Sequence, residues 1–213
     1  LERTSGPVLI FAHGGVLVAA QVYAGKVRLE DAMQALPPYG GMVEIDLPLP
    51  RLHPVMLAGT GSDVGKSVLA AALCRIFLQD GYHPAPFKAQ NMALNSYATP
   101  EGLEIGRAQA VQAEAAGIPC HTDMNPLLLK PTSDRTTQVV LNGKPIGNRS
   151  AYEYFRTEGR EELRREVNQA FDRLAARYNP IVMEGAGSIS ELNLKDTDLV
   201  NLPMARHANA DVI

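Results

Sequence analysis

Val55-Met-Leu-Ala-Gly-Thr-Gly-Ser-Asp-Val-Gly-Lys-Ser67 is the stretch that decides how the rest of the chain is read. A short apolar run, Val55 to Ala58, stops at Gly59, and a glycine-rich loop then leads straight into a helical pattern. Gly-x-x-x-x-Gly-Lys-Ser/Thr between a strand and a helix is a phosphate-binding loop. Its glycines let backbone N–H groups face a polyphosphate, its lysine adds a point charge, and its hydroxyl reaches Mg²⁺. Counted back from Gly65-Lys66-Ser67, the first glycine of that pattern falls on Thr60, whereas the glycine present is Gly59. This loop is therefore one residue longer, with Thr60, Gly61, Ser62, Asp63 and Val64 between its flanking glycines. A Gly-Lys-Ser triplet alone means little; set between an apolar strand and an amphipathic helix, it marks a nucleotide site. Val68, Leu69, Ala72, Leu73, Ile76 and Phe77 recur at helical spacing, and Gly81 after Asp80 is a natural stop. The helix then points its free N-terminal N–H groups at the phosphates. Gly59, Thr60, Gly61, Asp63, Val64, Gly65, Lys66 and Ser67 are the expected nucleotide contacts.

The chain has 213 residues, room for one ordinary domain and part of another. Hydrophobic residues at 46% and charged ones at 20% are normal for a globular protein. A net charge of −3 and a pI near 6.0 point to neither a nucleic-acid nor an acidic-membrane partner. No apolar run approaches the ~20 residues needed to span a bilayer, and no signal-peptide pattern opens the chain. Cys74 falls within the helix after the loop, where a packed thiol is expected rather than a disulfide partner; with Cys120 it makes only 2 cysteines. These features predict a reduced, cytoplasmic protein. The start at Leu1 and the strand-like finish Ala210-Asp-Val-Ile213 suggest that further sequence flanks the chain.

Before the loop, Pro7-Val-Leu-Ile-Phe-Ala12 is an apolar run ending in His13-Gly14-Gly15, and a helical segment follows from about Val16 to Tyr23. Met42-Val-Glu-Ile-Asp-Leu47 alternates like a strand. Leu47-Pro-Leu-Pro-Arg-Leu-His-Pro54 then breaks regular structure with its prolines and reads as a linker. The expected division is a small α/β piece over 1–48 and a nucleotide-binding domain over 54–213. Phe11-Ala-His-Gly-Gly-Val-Leu17 resembles the C-terminal part of histidine phosphatases, including alpha-ribazole phosphatases. That resemblance implies a strand-end position for His13, as the second histidine beside the phosphohistidine. The Arg-His-Gly motif that carries the phosphorylated histidine is absent, and Val18 stands where an arginine often follows. No turnover is expected of this piece.

After the loop, Pro84-Ala-Pro-Phe-Lys88 reads as a second short strand ending in a lysine, with polar Gln90, Asn91, Asn95 and Ser96 behind it. Neighbouring parallel strands release their C-terminal ends onto one edge of a sheet, so Lys88 is expected beside the phosphate loop. Leu103 to Ala116 reads as a helix, with Glu104 in a first turn that favours a carboxylate for its dipole alone. Asn125-Pro-Leu-Leu-Leu-Lys-Pro-Thr-Ser-Asp134 is a buried run closed by a polar turn, and Gln138-Val-Val-Leu141 before Asn142-Gly143 is a strand and tight turn. A long amphipathic helix places Leu163, Val167, Ala170, Phe171, Leu174 and Tyr178 on one face and a solvated charge run on the other. Pro180-Ile-Val-Met183 is the next buried strand, ending in Glu184-Gly-Ala-Gly-Ser188. A carboxylate there, followed by glycines that admit a ligand closely, is placed to hold Mg²⁺ or its waters. Glu191-Leu-Asn-Leu-Lys195 and Asp198-Leu-Val-Asn201 suit a substrate rim or a domain contact equally. His53, His83, His121 and His207 show no metal-ligand spacing.

Gly59 to Ser67, Phe87-Lys-Ala-Gln-Asn-Met92, Glu104-Ile-Gly-Arg-Ala-Gln109, Met124-Asn-Pro-Leu-Leu-Leu-Lys-Pro131 and Glu184-Gly-Ala-Gly187 together resemble the ATP-binding domain of cobyric acid synthases. The two polar segments up to Asn201 continue the match. The resemblance implies a dethiobiotin synthetase-like fold, a parallel P-loop NTPase sheet flanked by helices and incomplete at its C-terminal side. It also implies amidation of adenosylcobyrinic acid a,c-diamide to cobyric acid with ATP, Mg²⁺ and glutamine-derived ammonia. Lys66 and Lys88 would neutralise phosphoryl oxygens, with Ser67, Asp63 and Glu184 on Mg²⁺ and Glu104 as a further carboxylate ligand. The family's amidotransferase domain, which supplies ammonia with its Cys-His-Glu triad, is not expected within these residues, because neither Cys74 nor Cys120 sits in such a context; a homo-oligomer is left open. Rival readings are a dethiobiotin or cobyrinate a,c-diamide synthetase, a non-catalytic nucleotide-binding scaffold and a partitioning-type switch ATPase. The last needs a lysine where this loop has Gly61.

Overall fold

A computed structural model describes residues 9–45, 49–133, 136–150, 160–188 and 200–213. The chain forms two compact units, Leu1–Pro50 and Arg51–Ile213. In the first, helix α1 (Gly14–Tyr23) is followed by a single 3₁₀ turn, Leu29–Asp31. Two strand expectations fail in this unit. Residues 9–13 and 42–45 are in no strand, and Leu9, Ile10, Phe11 and Met42 are exposed. A strand is held by its neighbours' backbone groups and by a face to bury, and no described element of this unit supplies either to these short runs.

The second unit is built on a four-stranded parallel sheet of β1 (Val55–Leu57), β2 (Ala85–Phe87), β9 (Ile181–Glu184) and β10 (Asp211–Val212), in the order β10-β1-β9-β2. Strands buried on both faces read as unbroken apolar runs, and every residue of β2 and β9 is buried. Helix α2 (Lys66–Gln79) buries Lys66, Ala70 and Cys74, with Leu73 and Phe77 partly covered, while Val68, Leu69 and Ile76 are exposed. The loop holds Lys66 inward, and the helical period then carries Ala70 and Cys74 to the core one and two turns later. Helix α3 (Arg107–Ala115) starts later than its sequence suggests, because Glu104–Gly106 is a strand, β5, paired antiparallel with β4 (Ser96–Ala98). Glu104 is thus a strand residue, not a first-turn helix residue.

A second sheet, ordered β3-β6-β7-β8, pairs β3 (Gln90–Met92) parallel to β6 (Leu127–Ser133) and continues antiparallel through β7 (Thr136–Leu141) and β8 (Lys144–Ser150). Asn142 and Gly143 join β7 to β8 with φ of 47° and 79°, the two positive angles of a tight hairpin turn. Helix α4 (Arg160–Ala175) sets Phe171 edge-on to Phe87 of the parallel sheet, ring centroids 5.3 Å apart. Its C-terminal end is also held by charge: buried Asp123 takes Arg173 of the helix at 2.7 Å and Arg177, just beyond it, at 3.3 Å. A short helix, α5 (Leu202–Ala208), unforeseen in the sequence, leads into β10. Residues 191–195 and Asp198 lie outside the described residues.

Candidate nucleotide site

Because β1 and β9 are parallel neighbours, the segments leaving their C-terminal ends emerge side by side. The loop after β1 turns at Gly65, φ 95°, and delivers Lys66 and Ser67 as the first residues of α2. That left-handed angle suits glycine. Gly59 makes room for the lysine, since a Cβ there would stand 2.9 Å from both Lys66 Nζ and Val64 Cγ2, and those side chains would have to shift. Lys66 is buried, and its ammonium donates to the carbonyls of Gly61 at 2.6 Å and Gly187 at 3.1 Å. One cation therefore ties the phosphate loop to the turn after β9. Ser188 adds a second tie, its hydroxyl donating to the Thr60 carbonyl at 2.9 Å.

Glu184, the last residue of β9, is the centre of the arrangement and only 3% exposed. Its Oε1 accepts from Lys88 Nζ at 2.6 Å and from Ser67 Oγ at 2.8 Å, and its Oε2 accepts from Gln112 Nε2 at 2.7 Å. A buried carboxylate is tolerated only when its lone pairs are met, and here an ammonium, a hydroxyl and an amide meet them. Lys88 directly follows β2. The expectation that it adjoins the phosphate loop needs refinement: β9 stands between β1 and β2, and Lys88 and Ser67 meet through Glu184.

Sequence reasoning overlooked Gln112. Besides Glu184, its amide nitrogen reaches the Ser67 carbonyl at 3.2 Å. Gln109 donates to Gln112 Oε1 at 3.4 Å, and Asn91 donates to Gln109 Oε1 at 3.1 Å. Asn125 accepts from the Gly106 N–H at 3.0 Å and donates to the carbonyls of Lys88 at 3.1 Å and Leu127 at 3.0 Å, fixing the backbone that carries the second lysine. The available signal was two glutamines three apart in an alanine-rich helix, on the face that also buries Ala113. Asn201, expected at a substrate rim or domain contact, instead clamps the turn after β9, accepting from the Ala186 N–H at 2.9 Å and donating to the Ala186 carbonyl at 3.0 Å.

The remaining predicted ligands are dispersed. Asp63 is exposed on the loop with φ 59°. Glu104 pairs with Lys130 at 2.5 Å. Partial burial raises its carboxyl, but hydrogen bonds from Lys130 and Ser96 and the Lys130 charge outweigh this and hold it below the usual glutamate range. Among the described residues no three His, Cys, Asp or Glu side chains are grouped to hold a metal, so Asp63, Glu104 and Glu184 form no carboxylate cage. The donor set still fits Mg²⁺, which keeps several waters and takes few protein ligands alongside phosphate. Ser67 Oγ and Glu184 Oε1, hydrogen-bonded at 2.8 Å, are the neighbouring oxygens that would hold it. Exposed His13 stands immediately before α1 and receives backbone bonds from Val16 and Leu17 on its carbonyl, at 2.9 and 3.2 Å.

A parallel sheet that gathers a phosphate loop, a helix start, two lysines and a strand-end carboxylate on one edge defines a P-loop nucleotide-binding domain. The model for the CobQ/CobB/MinD/ParA nucleotide binding domain matches residues 55–204, and the chain belongs to that family. It is 88% identical over 163 residues to the cobyric acid synthases of Bacteroides fragilis and Phocaeicola vulgatus, covering 76% of this chain and 33% of each relative. The cobyric acid synthase of Syntrophobacter fumaroxidans is 64% identical over 163 residues, covering 76% of this chain and 31% of the relative. The chain thus spans about a third of the length of the curated relatives it matches. No helix among the described residues is long and apolar enough to cross a membrane.

Proposed function

We propose that this domain binds ATP with Mg²⁺ and drives amidation of corrinoid carboxylates, from adenosylcobyrinic acid a,c-diamide towards cobyric acid. The observation that carries the reading is the convergence of Lys66, Ser67, Lys88 and Glu184 on one sheet edge, in a domain 88% identical over 163 residues to two cobyric acid synthases. A carboxylate is a poor acylating agent. Attack of its oxygen on the γ-phosphorus forms an acyl phosphate and releases ADP, and ammonia then displaces phosphate to leave the amide. The protein's task is to align these groups and offset the charge on the phosphoryl oxygens. Lys66 and Lys88 would supply the positive charge, and one ammonium has three donors, of which Lys88 directs one to Glu184. Ser67 and Glu184 would hold Mg²⁺, which would supply positive charge against that of the phosphate oxygens. Asp63 is a further candidate ligand through water, and Glu104 becomes one only by giving up Lys130.

Ammonia would come from a glutamine amidotransferase domain within the further length of the relatives, in a cytoplasmic setting. Residues 1–48 would be a separate histidine-phosphatase-like piece, with His13 as its motif histidine. The test is to supply the protein with ATP, Mg²⁺, ammonium and the corrinoid diamide, and to follow both phosphate release and corrinoid mass. Phosphate release that needs the corrinoid, with stepwise replacement of hydroxyl by amino groups, is expected. Hydrolysis indifferent to corrinoid and stimulated by lipid vesicles or DNA would refute the reading.

A further inference from the structure

Three amides lie in line behind Glu184, each buried and each donating to the next acceptor. Asn91 donates to Gln109 at 3.1 Å, Gln109 to Gln112 at 3.4 Å, and Gln112 to Glu184 Oε2 at 2.7 Å. Gln109 and Gln112 are 0% and 1% exposed, so bulk solvent does not reach them. Buried amides in an alanine-rich helix carry a desolvation cost that apolar residues would avoid, and their hydrogen bonds must offset it. An amide has both a carbonyl and an NH₂ group, so one orientation of Gln112 satisfies this line. In the other, its carbonyl would oppose the Glu184 carboxylate and its NH₂ would oppose the NH₂ of Gln109.

The geometry points to Gln112 as a positioning residue that acts through Glu184: it holds Oε2 so that Oε1 alone faces Ser67 and the incoming cation. Its second contact, to the Ser67 carbonyl at 3.2 Å, fixes the backbone of the other expected ligand. A single amide group thereby sets the spacing of the Ser67–Glu184 pair, while Gln109 and Asn91 hold that amide in place. This inference rests on the magnesium-nucleotide reading above. It predicts that Gln112 matters to the cation-dependent part of ATP binding and not to the part made by the phosphate loop alone.

The test measures the affinity of the whole chain for ATP with saturating Mg²⁺ and with EDTA, in the parent and in Gln112→Met, which keeps the volume and removes the donor. Loss of an outer partner of a metal ligand typically costs about 10- to 100-fold in metal affinity. The expected result is that the gain Mg²⁺ gives the parent falls by about tenfold or more in the variant, with affinity in EDTA within about twofold. Equal weakening under both conditions would make Gln112 a packing residue and overturn the proposal, as would an unchanged gain. A parent with no gain from Mg²⁺ would bring down the magnesium reading itself, and this proposal with it. If Gln112→Met does not fold, Gln109→Met decides: it leaves both contacts of the Gln112 nitrogen in place but removes the donor that orients it. A smaller loss in the same direction supports the proposal, and an unchanged gain overturns it.

Discussion

The Lys88–Glu184 pair offers a prediction whose sign reverses between a single and a double substitution. Glu184 is 2% exposed by side chain and Lys88 13%, with 2.6 Å between Nζ and Oε1. Glu184→Leu leaves the ammonium of Lys88 facing an apolar side chain at a site where little water reaches it. Removing one member of a buried pair costs about 3–5 kcal/mol. The residual exposure of Lys88 places the expected loss at the lower end, about 3 kcal/mol. For a unit of this size that is a fall in melting temperature of about 6–12 °C. Adding Lys88→Met removes the stranded charge, and replacing a buried pair by apolar groups is often neutral or stabilising. The double variant is therefore expected to recover most of the loss, so that a double-mutant cycle, which also counts the cost of Lys88→Met alone, gives a coupling of at least about 2 kcal/mol. The chain has no tryptophan, so urea and thermal unfolding are best followed by far-ultraviolet circular dichroism. A double variant no more stable than Glu184→Leu would refute the reasoning, because Lys88 would then not be the group that Glu184 compensates.

Gly59→Ala must push Lys66 and Val64 aside, so ATP affinity is expected to drop about tenfold, or about 1.4 kcal/mol, with little change in melting temperature; isothermal calorimetry reads both the affinity and the fraction of competent sites. Glu104 titrates below its unfolded value because of Lys130 and Ser96. Its stabilising contribution is therefore full above the ordinary glutamate range near about 4.3 and disappears as pH falls through the lower folded value. The difference in stability between parent and Glu104→Gln should be at most about 1 kcal/mol at neutral pH and vanish in acid. Burial pushes the Cys74 thiol up to about 12 and raises that of Cys120 as well. Neither should react with iodoacetamide in the folded chain at neutral pH, and mass spectrometry should find Cys74 labelled only after denaturant is added.

The parallel sheet and its phosphate loop were legible because the signals are local and redundant. Gly59, Gly65, Lys66 and Ser67 sit between an apolar strand and an amphipathic helix, and Glu184 closes a second apolar run. The helix face was less legible: Val68, Leu69 and Ile76 look like core residues, yet the loop turns Lys66 inward and leaves them outside. Glu104–Gly106 could not be told from a helix start, because three residues pair with Ser96–Ala98 only through tertiary contact. The amides were missed for the opposite reason. Gln109, Gln112 and Asn125 are common surface residues, and only packing shows that they are buried among the site's donors. Residues 9–13 and 42–45 gave a strand signal, but no described element of their unit supplies the neighbours a strand needs.

The donors meeting on Glu184 come from far along the chain: Ser67 is 117 residues away, Lys88 96 and Gln112 72. Contacts of such long range carry the largest loop-closure cost and complete only when β9 has docked between β1 and β2. A ligand recognising that constellation binds the finished structure and ignores partly assembled chains. Nucleotide supplied during refolding would thus stabilise the native protein by mass action, by a free energy that grows with the logarithm of its concentration over its dissociation constant.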